Sequence, residues 1–221
     1  KYYVVNNVLE TFTSKVGQFV EVMNLEEFGN ALFIDHEIQV AEKDEKIYSS
    51  TFFKSSYDLS KKNNNVAIIG GGDGGVAREC LENNTNYIDW YELDPEIVES
   101  CYRHLPKVCS KVKRSNTVNT FWGDAFESIK SVEDSKYDKI FVDLNDDQYC
   151  IDLARKNMKG LQRILKTGGV ITAQVGSKDK KPKQVENWCK VLEKSFGNVT
   201  VSGVHIPSFD CNWNFASSIM K

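Results

Sequence analysis

The run Gly70-Gly71-Gly72-Asp73-Gly74-Gly75 constrains this chain more than any other feature. It follows the apolar stretch Val66 to Ile69 and opens a helical pattern from Asp73 to Leu81. Strand, glycine loop and helix in that order are the context of a G-x-G-x-x-G nucleotide loop. Glycine lets the backbone turn sharply there and approach a ligand closely. Twenty residues beyond Gly72 stands Glu92, at the end of the expected strand Ile88 to Leu93. An acid at that place hydrogen-bonds ribose hydroxyls. Gly70, Gly72 and Glu92 are therefore candidate nucleoside-binding residues.

The rest of the chain supplies the scaffold that such a loop requires. Further strands are expected at Val118 to Trp122, Lys139 to Val142, Val170 to Val175, Val199 to Val204 and Asn214 to Ile219. Helices are expected from Pro95, at Asp124 to Lys130, at Ile151 to Leu165 with a stop at Gly168-Gly169, and at Lys183 to Phe196. This alternation predicts a largely parallel sheet covered on both faces, with ligands beyond the carboxyl ends of the strands. Up to about Lys54 the pattern is strand-like instead, at Phe19 to Val22, Ala31 to Ile34 and Glu37 to Val40, with turn signals between. The polar stretch Ser60 to Asn65 is a break. The expected fold is α/β. Residues 55–221 form a Rossmann-like, methyltransferase-type doubly wound sheet, and residues 1–54 a small N-terminal antiparallel β-hairpin unit. A length of 221 residues suits one large domain with such an appendage.

Charge narrows the ligand. A carboxylate at Asp73, inside the glycine loop, repels a pyrophosphate, which disfavours NAD, FAD and ATP and favours a cationic sulfonium nucleoside. Asp94, Asp124, Asp143 and Asp146 fall after successive strands. Any one of them reads as a helix cap or turn residue. Together on one rim they repel unless a cation relieves them, so the site is expected to take polycations. Against 31 Asp and Glu stand 28 Lys and Arg, a net charge of −3. There is no basic excess for a nucleic-acid partner, and the basic run Lys178 to Lys183 reads as a solvated loop. No apolar run approaches the ~18 residues of a membrane span, and Lys1 to Glu10 lacks the apolar stretch of a signal peptide. The six cysteines at 80, 101, 109, 150, 189 and 211 show no CxxC or Cys/His ligand spacing. That predicts no metal, reduced thiols and a cytoplasmic protein. His36, His104 and His205 are isolated in sequence and read as ordinary surface or core residues.

The stretch Gly70 to Glu79, Gly-Gly-Gly-Asp-Gly-Gly-Val-Ala-Arg-Glu, resembles the signature of the polyamine aminopropyltransferases, the spermidine, spermine and thermospermine synthases. Other segments are similar in order and spacing. They are Phe28 to Asp35 with Gln39, Glu42-Lys43-Asp44-Glu45 with Tyr48, Glu92-Leu93-Asp94, Gly123-Asp124-Ala125, Asp143-Leu144-Asn145-Asp146, and Ile206-Pro207-Ser208-Phe209. The resemblance implies that Gln18, Gln39, Glu92, Asp124 and Ala125 hold the methylthioadenosine part of decarboxylated S-adenosylmethionine, a co-substrate rather than a bound cofactor. It implies that Asp73 holds the amine of the aminopropyl arm. Asp143, helped by Tyr48, would position and deprotonate the attacking amine, and Asp146 would hold the acceptor's far cationic end. Gln174 and Phe209 would line the acceptor pocket. It further implies a homodimer, assembled partly through the N-terminal unit.

The sequence also departs from that family. Ser50 stands where a glutamate is usual, Asp147 where a proline often follows, His36 in place of the turn glycine, and Phe209 in place of a tyrosine. The usual glycine–proline gate and the N-terminal aromatic segment are missing. Asp147 beside Asp146, with the aromatic wall at Phe209, suggests a triamine acceptor used at least as well as putrescine. Two alternatives remain at this point, an S-adenosylmethionine methyltransferase and a non-catalytic nucleoside-binding member of the same fold. Asp73 opposes the first, because methionine's carboxylate would lie near it, and like charges ~4 Å apart at an effective dielectric of 20 repel by roughly 4 kcal/mol.

Overall fold

A computed structural model describes residues 1–221 as two sheets. The smaller is an antiparallel meander of β1 (Val5–Thr13), β2 (Phe19–Leu25), β3 (Gly29–Ile34) and β4 (Glu37–Ala41), in that spatial order. Asp35 and His36 make the two-residue turn from β3 to β4, with φ of 49° and 66°. Two positive φ values give the mirror-image turn that matches strand twist.

Helix α1 (Glu45–Tyr57) follows, and the second sheet begins with β5 (Asn65–Gly70). Next come α2 (Gly75–Glu82), β6 (Tyr87–Glu92), α3 (Pro95–His104), α4 (Pro106–Lys113) and β7 (Val118–Trp122). A short α5 (Ala125–Ser128) with a 3-10 turn leads to β8 (Tyr137–Asp143). The chain closes with α6 (Gln148–Ile164), β9 (Leu165–Gly176), α7 (Pro182–Phe196), β10 (Thr200–Ile206) and β11 (Cys211–Ile219). The order in space is β10-β11-β9-β8-β5-β6-β7. The five strands from β9 to β7 are parallel, and β11 and β10 each run antiparallel to their neighbour.

Between β5 and β8 the winding reverses, and a ligand crevice opens at such a switch point. There Gly70, last in β5, pairs with Asp143, last in β8. One face of the sheet packs Ile69, Ile140 and Val142 against Ile151, Leu161 and Trp188 of α6 and α7. The other packs Ile68, Trp90 and Phe141 against Phe52 of α1 and Val76 of α2. Val20, Val22 and Leu32 of the small sheet bury against Ile97, Cys101 and Val108 of α3 and α4. That contact fixes the small sheet beside the carboxyl ends of β5 and β6. No helix is long and apolar enough to cross a membrane.

Three elements depart from the sequence reading. Residues 45–57 are helix rather than strand. The buried face of α1 carries Glu45, Ser49 and Ser56 beside Phe52 and Phe53, which hides the helical period from a hydrophobicity pattern. Strand β1 is largely exposed, with little alternation to reveal it. Gly168-Gly169 do not stop a helix, because α6 ends at Ile164 and both glycines lie within β9.

Candidate active site

Gly70 and Gly71 take φ of 78° and 71°. A Cβ on Gly70 would lie 2.4 Å from the carbonyl oxygen of Asp143, and one on Gly71 2.9 Å from Asp143 Oδ2. The glycine loop is thus pressed onto the end of β8, where the Gly71 amide donates to the Asp143 carbonyl at 3.1 Å. No side chain fits between loop and catalytic candidate.

Asp143 meets α1 across this junction. The Tyr48 hydroxyl donates to Asp143 Oδ1 at 2.6 Å. Burial pushes the Asp143 carboxyl up to about 6, and the Tyr48 hydrogen bond holds it from rising further. Tyr48 is itself pushed well above the ordinary phenol range, first by burial and then by the neighbouring charge of Asp143. Its ring lies edge-on to Phe52, Phe209 and Phe215.

Asp73 turns into the same junction, its Oδ1 accepting from the Gly75 amide at 2.6 Å. Burial, and then the charge of Asp143, push it up to about 7. Glu92, at the end of β6, is likewise pushed up to about 7, mainly by burial. Its Oε1 accepts from the Asp94 amide at 3.0 Å, and its other oxygen lies against Gly72. Three carboxyls with raised affinity for protons mark a place where a cation would relieve the charge.

The remaining expected residues surround these. Gln39 lines a cleft with Glu45, Tyr48, Asp73, Ser208 and Phe209. Asp124 caps α5, accepting from the Phe126 amide at 2.8 Å, and Ala125 opens that helix. The preceding Gly123 amide donates to the Glu92 carbonyl at 2.9 Å, which ties the ends of β6 and β7 together. Gln18 precedes β2, and its carbonyl closes a turn by accepting from Ser14. The side chain of Gln18 makes no hydrogen bond to the other candidates. The turn leans on α3 instead, through the Lys15 amide and Glu96. Gln174 is buried, with its amide donating to the Leu144 carbonyl and accepting from the Gly176 amide. It holds the loop between Asp143 and Asp146. Asp146 is buried and paired with Lys181 at 3.3 Å. Asp147 caps α6, accepting from the Cys150 amide at 2.7 Å, and is exposed. One of its oxygens caps the helix, as one oxygen of Asp124 does at α5.

The structure adds four residues that had no assigned role, Asp44, Glu45, Arg78 and Glu79. Asp44 stands where α1 begins but does not cap it. Its oxygens accept from the amide and hydroxyl of Ser208 at 2.7 and 3.0 Å, fixing the Phe209 turn onto α1. Glu45 and Glu79 both grip Arg78, at 2.5 and 2.8 Å, in a buried network beneath Asp73. Their spacing in sequence gave no sign of this pairing.

A family model described as the spermine/spermidine synthase domain matches residues 45–221. A polyamine aminopropyltransferase of Korarchaeum cryptofilum is 30% identical over 215 residues, covering 96% of this chain and 67% of the relative. One from Prochlorococcus marinus strain NATL2A is 31% identical over 210 residues, covering 90% of this chain and 72% of the relative. Among solved structures, a spermidine synthase in complex with the transition-state analogue AdoDATO superposes with a TM-score of 0.92 at 19% identity, covering 99% of this chain and 75% of that one. The spermidine synthase of Thermotoga maritima gives 0.91, also at 19% identity. At that identity the likeness to the two structures speaks for the fold.

Proposed function

This chain belongs to the spermine/spermidine synthase family and is an aminopropyltransferase, and from that premise we propose that it moves the aminopropyl group of decarboxylated S-adenosylmethionine onto putrescine or spermidine. The observation that carries the donor reading is Asp73. A half-buried carboxylate inside a nucleotide loop, pushed up to about 7, favours a ligand that brings an ammonium and no phosphate. Glu92, Asp124 and Gln39 then face the nucleoside part.

The reaction this supports is an in-line displacement. Asp143, oriented by Tyr48, takes a proton from the acceptor's primary ammonium, whose ordinary pKa is near the ~10.4 of lysine. Burial favours that transfer, because it disfavours the charged amine. The freed lone pair attacks the methylene beside the sulfonium. The C–S bond breaks with its electrons on sulfur, leaving neutral methylthioadenosine and a protonated secondary amine. Proton removal by a placed base contributes on the order of 10²–10⁴-fold, and alignment of the two substrates supplies much of the rest. No resident cofactor enters this scheme.

The test is mass spectrometry of products formed from decarboxylated S-adenosylmethionine and a panel of di- and triamines. Methylthioadenosine with an amine heavier by one aminopropyl group is the expected result. Absence of such a product with every amine would overturn the reading, and the relative kcat/KM of putrescine and spermidine assigns the acceptor.

A further inference from the structure

The segment from Ser177 to Lys181 joins β9 to α7 and carries Lys178, Lys180 and Lys181. In the fold it is pinned rather than free. Lys180 Nζ donates to the Phe209 carbonyl at 2.7 Å, the Lys178 amide to Asn214 Oδ1 at 3.0 Å, and Asn212 to Asp179 Oδ2 at 3.0 Å. The Lys181 amide closes the turn on the Ser177 carbonyl at 2.8 Å. These ties bring the Lys181 ammonium to 3.3 Å from Asp146 Oδ1. Asp146 is 8% exposed, and its other oxygen, Oδ2, is buried without a hydrogen-bond partner. A buried carboxylate oxygen with no donor is costly, and a cationic group satisfies it best.

The geometry points to Lys181 as a specificity-determining residue that opposes the far ammonium of the acceptor at Asp146. The inference rests on the amine-acceptor reading above, in which Asp146 receives that end. While Lys181 holds Oδ1, a second ammonium at Oδ2 meets a pair that is already neutral, and it also faces the lysine charge. The acceptor is gripped fully only when Lys181 swings out. A binding-competent form populated one part in ten weakens apparent affinity about tenfold. A monoamine has no far ammonium and escapes this penalty.

The test compares wild type, Lys181→Met and Lys181→Arg, with 1,4-diaminobutane and n-butylamine as probes. Methionine keeps the stem and removes the charge, and arginine keeps the charge. Lys181→Met is expected to lower KM for the diamine about tenfold, moving KM far more than kcat and leaving n-butylamine unchanged. Lys181→Arg retains the wild-type values. Calorimetry of the same amines with the methylthioadenosine-loaded protein reads the effect without turnover. An unchanged or weaker diamine affinity in Lys181→Met overturns the inference, as does an equal gain for both amines. If no protein forms an aminopropylated product from any amine, the proposed function fails instead, and calorimetry still decides the role of Lys181.

Discussion

The phenol of Tyr48 donates to Asp143 Oδ1 at 2.6 Å, joining the first helix to the end of β8 across 95 positions of sequence. That bond orients the carboxylate and opposes the rise that burial imposes on it. Replacing Asp143 by Asn keeps the shape and removes the base. Turnover is expected to fall by about 10²–10⁴-fold, with methylthioadenosine affinity by calorimetry within a few-fold of wild type. A variant retaining a third of the activity would remove Asp143 from the chemistry.

Tyr48→Phe has a signature of its own in the pH profile. Asp143 must be ionised to act, so kcat/KM rises from the acid side through about pH 6. Without the Tyr48 hydroxyl the carboxylate loses a hydrogen bond that favours its charged form, and its pKa goes up. The acid limb of the variant is therefore expected at higher pH. An acid limb at the same pH in both proteins would separate Tyr48 from the titration.

Asp73 and Glu92 are each pushed up to about 7 in the free protein. A bound cation restores their ordinary acidity, so donor binding near pH 6.5 is expected to release protons. Calorimetry in two buffers of different ionisation enthalpy measures this. Asp73→Asn should reduce the release, and should also narrow the preference for decarboxylated over intact S-adenosylmethionine. Equal affinity of wild type for both nucleosides contradicts the role given to Asp73.

Gly70 and Gly168 separate a strained backbone from a blocked one. Both have positive φ, of 78° and 75°. A Cβ on Gly168 meets nothing within 4 Å, whereas one on Gly70 would lie 2.4 Å from the Asp143 carbonyl oxygen. Gly168→Ala is expected to cost about 1–2 kcal/mol for the left-handed conformation. Gly70→Ala should cost clearly more, because backbone must move, and it should also displace Asp143 and weaken nucleoside binding. Urea unfolding of the two variants, with equal losses, would contradict the close approach.

Lys139 is fully buried in β8, donating to the Ser60 carbonyl at 2.7 Å, with no carboxylate within salt-bridge distance. Burial pushes its pKa down from 10.5 to about 8. Between those values the unfolded chain holds a proton that the folded chain has released, so this residue's contribution to stability rises with pH. Below about 8 both states are protonated and the cost of burying the ammonium stands in full. The stability difference between Lys139→Met and wild type should therefore shift in favour of wild type from pH 7 to 10.5, by about 3 kcal/mol at most. A difference independent of pH in urea titrations would mean that Lys139 titrates as an ordinary lysine.

What could be read from the sequence follows from local rules. The glycine loop is legible because positive φ and close approach to β8 admit no side chain at Gly70. The strands of the large sheet are legible because burial on both faces leaves continuous apolar runs such as Val66 to Ile69. Acids that end successive strands, Glu92 after β6 and Asp143 after β8, must share one rim once those strands are parallel, so the acidic character of the site was already in the chain. The tertiary structure alone decided the partners. Asp44 reaches Ser208 across 164 positions, Glu45 reaches Arg78 across 33, and Lys181 reaches Asp146 across 35. Each of these pairs joins different elements, and no period of 2 or 3.6 residues carries such information. The same limit applies to α1, whose buried face mixes Glu45 and Ser49 with Phe52. Those polar groups are affordable in the interior only because Arg78 arrives from α2 to satisfy Glu45, and Glu45 in turn satisfies Ser49.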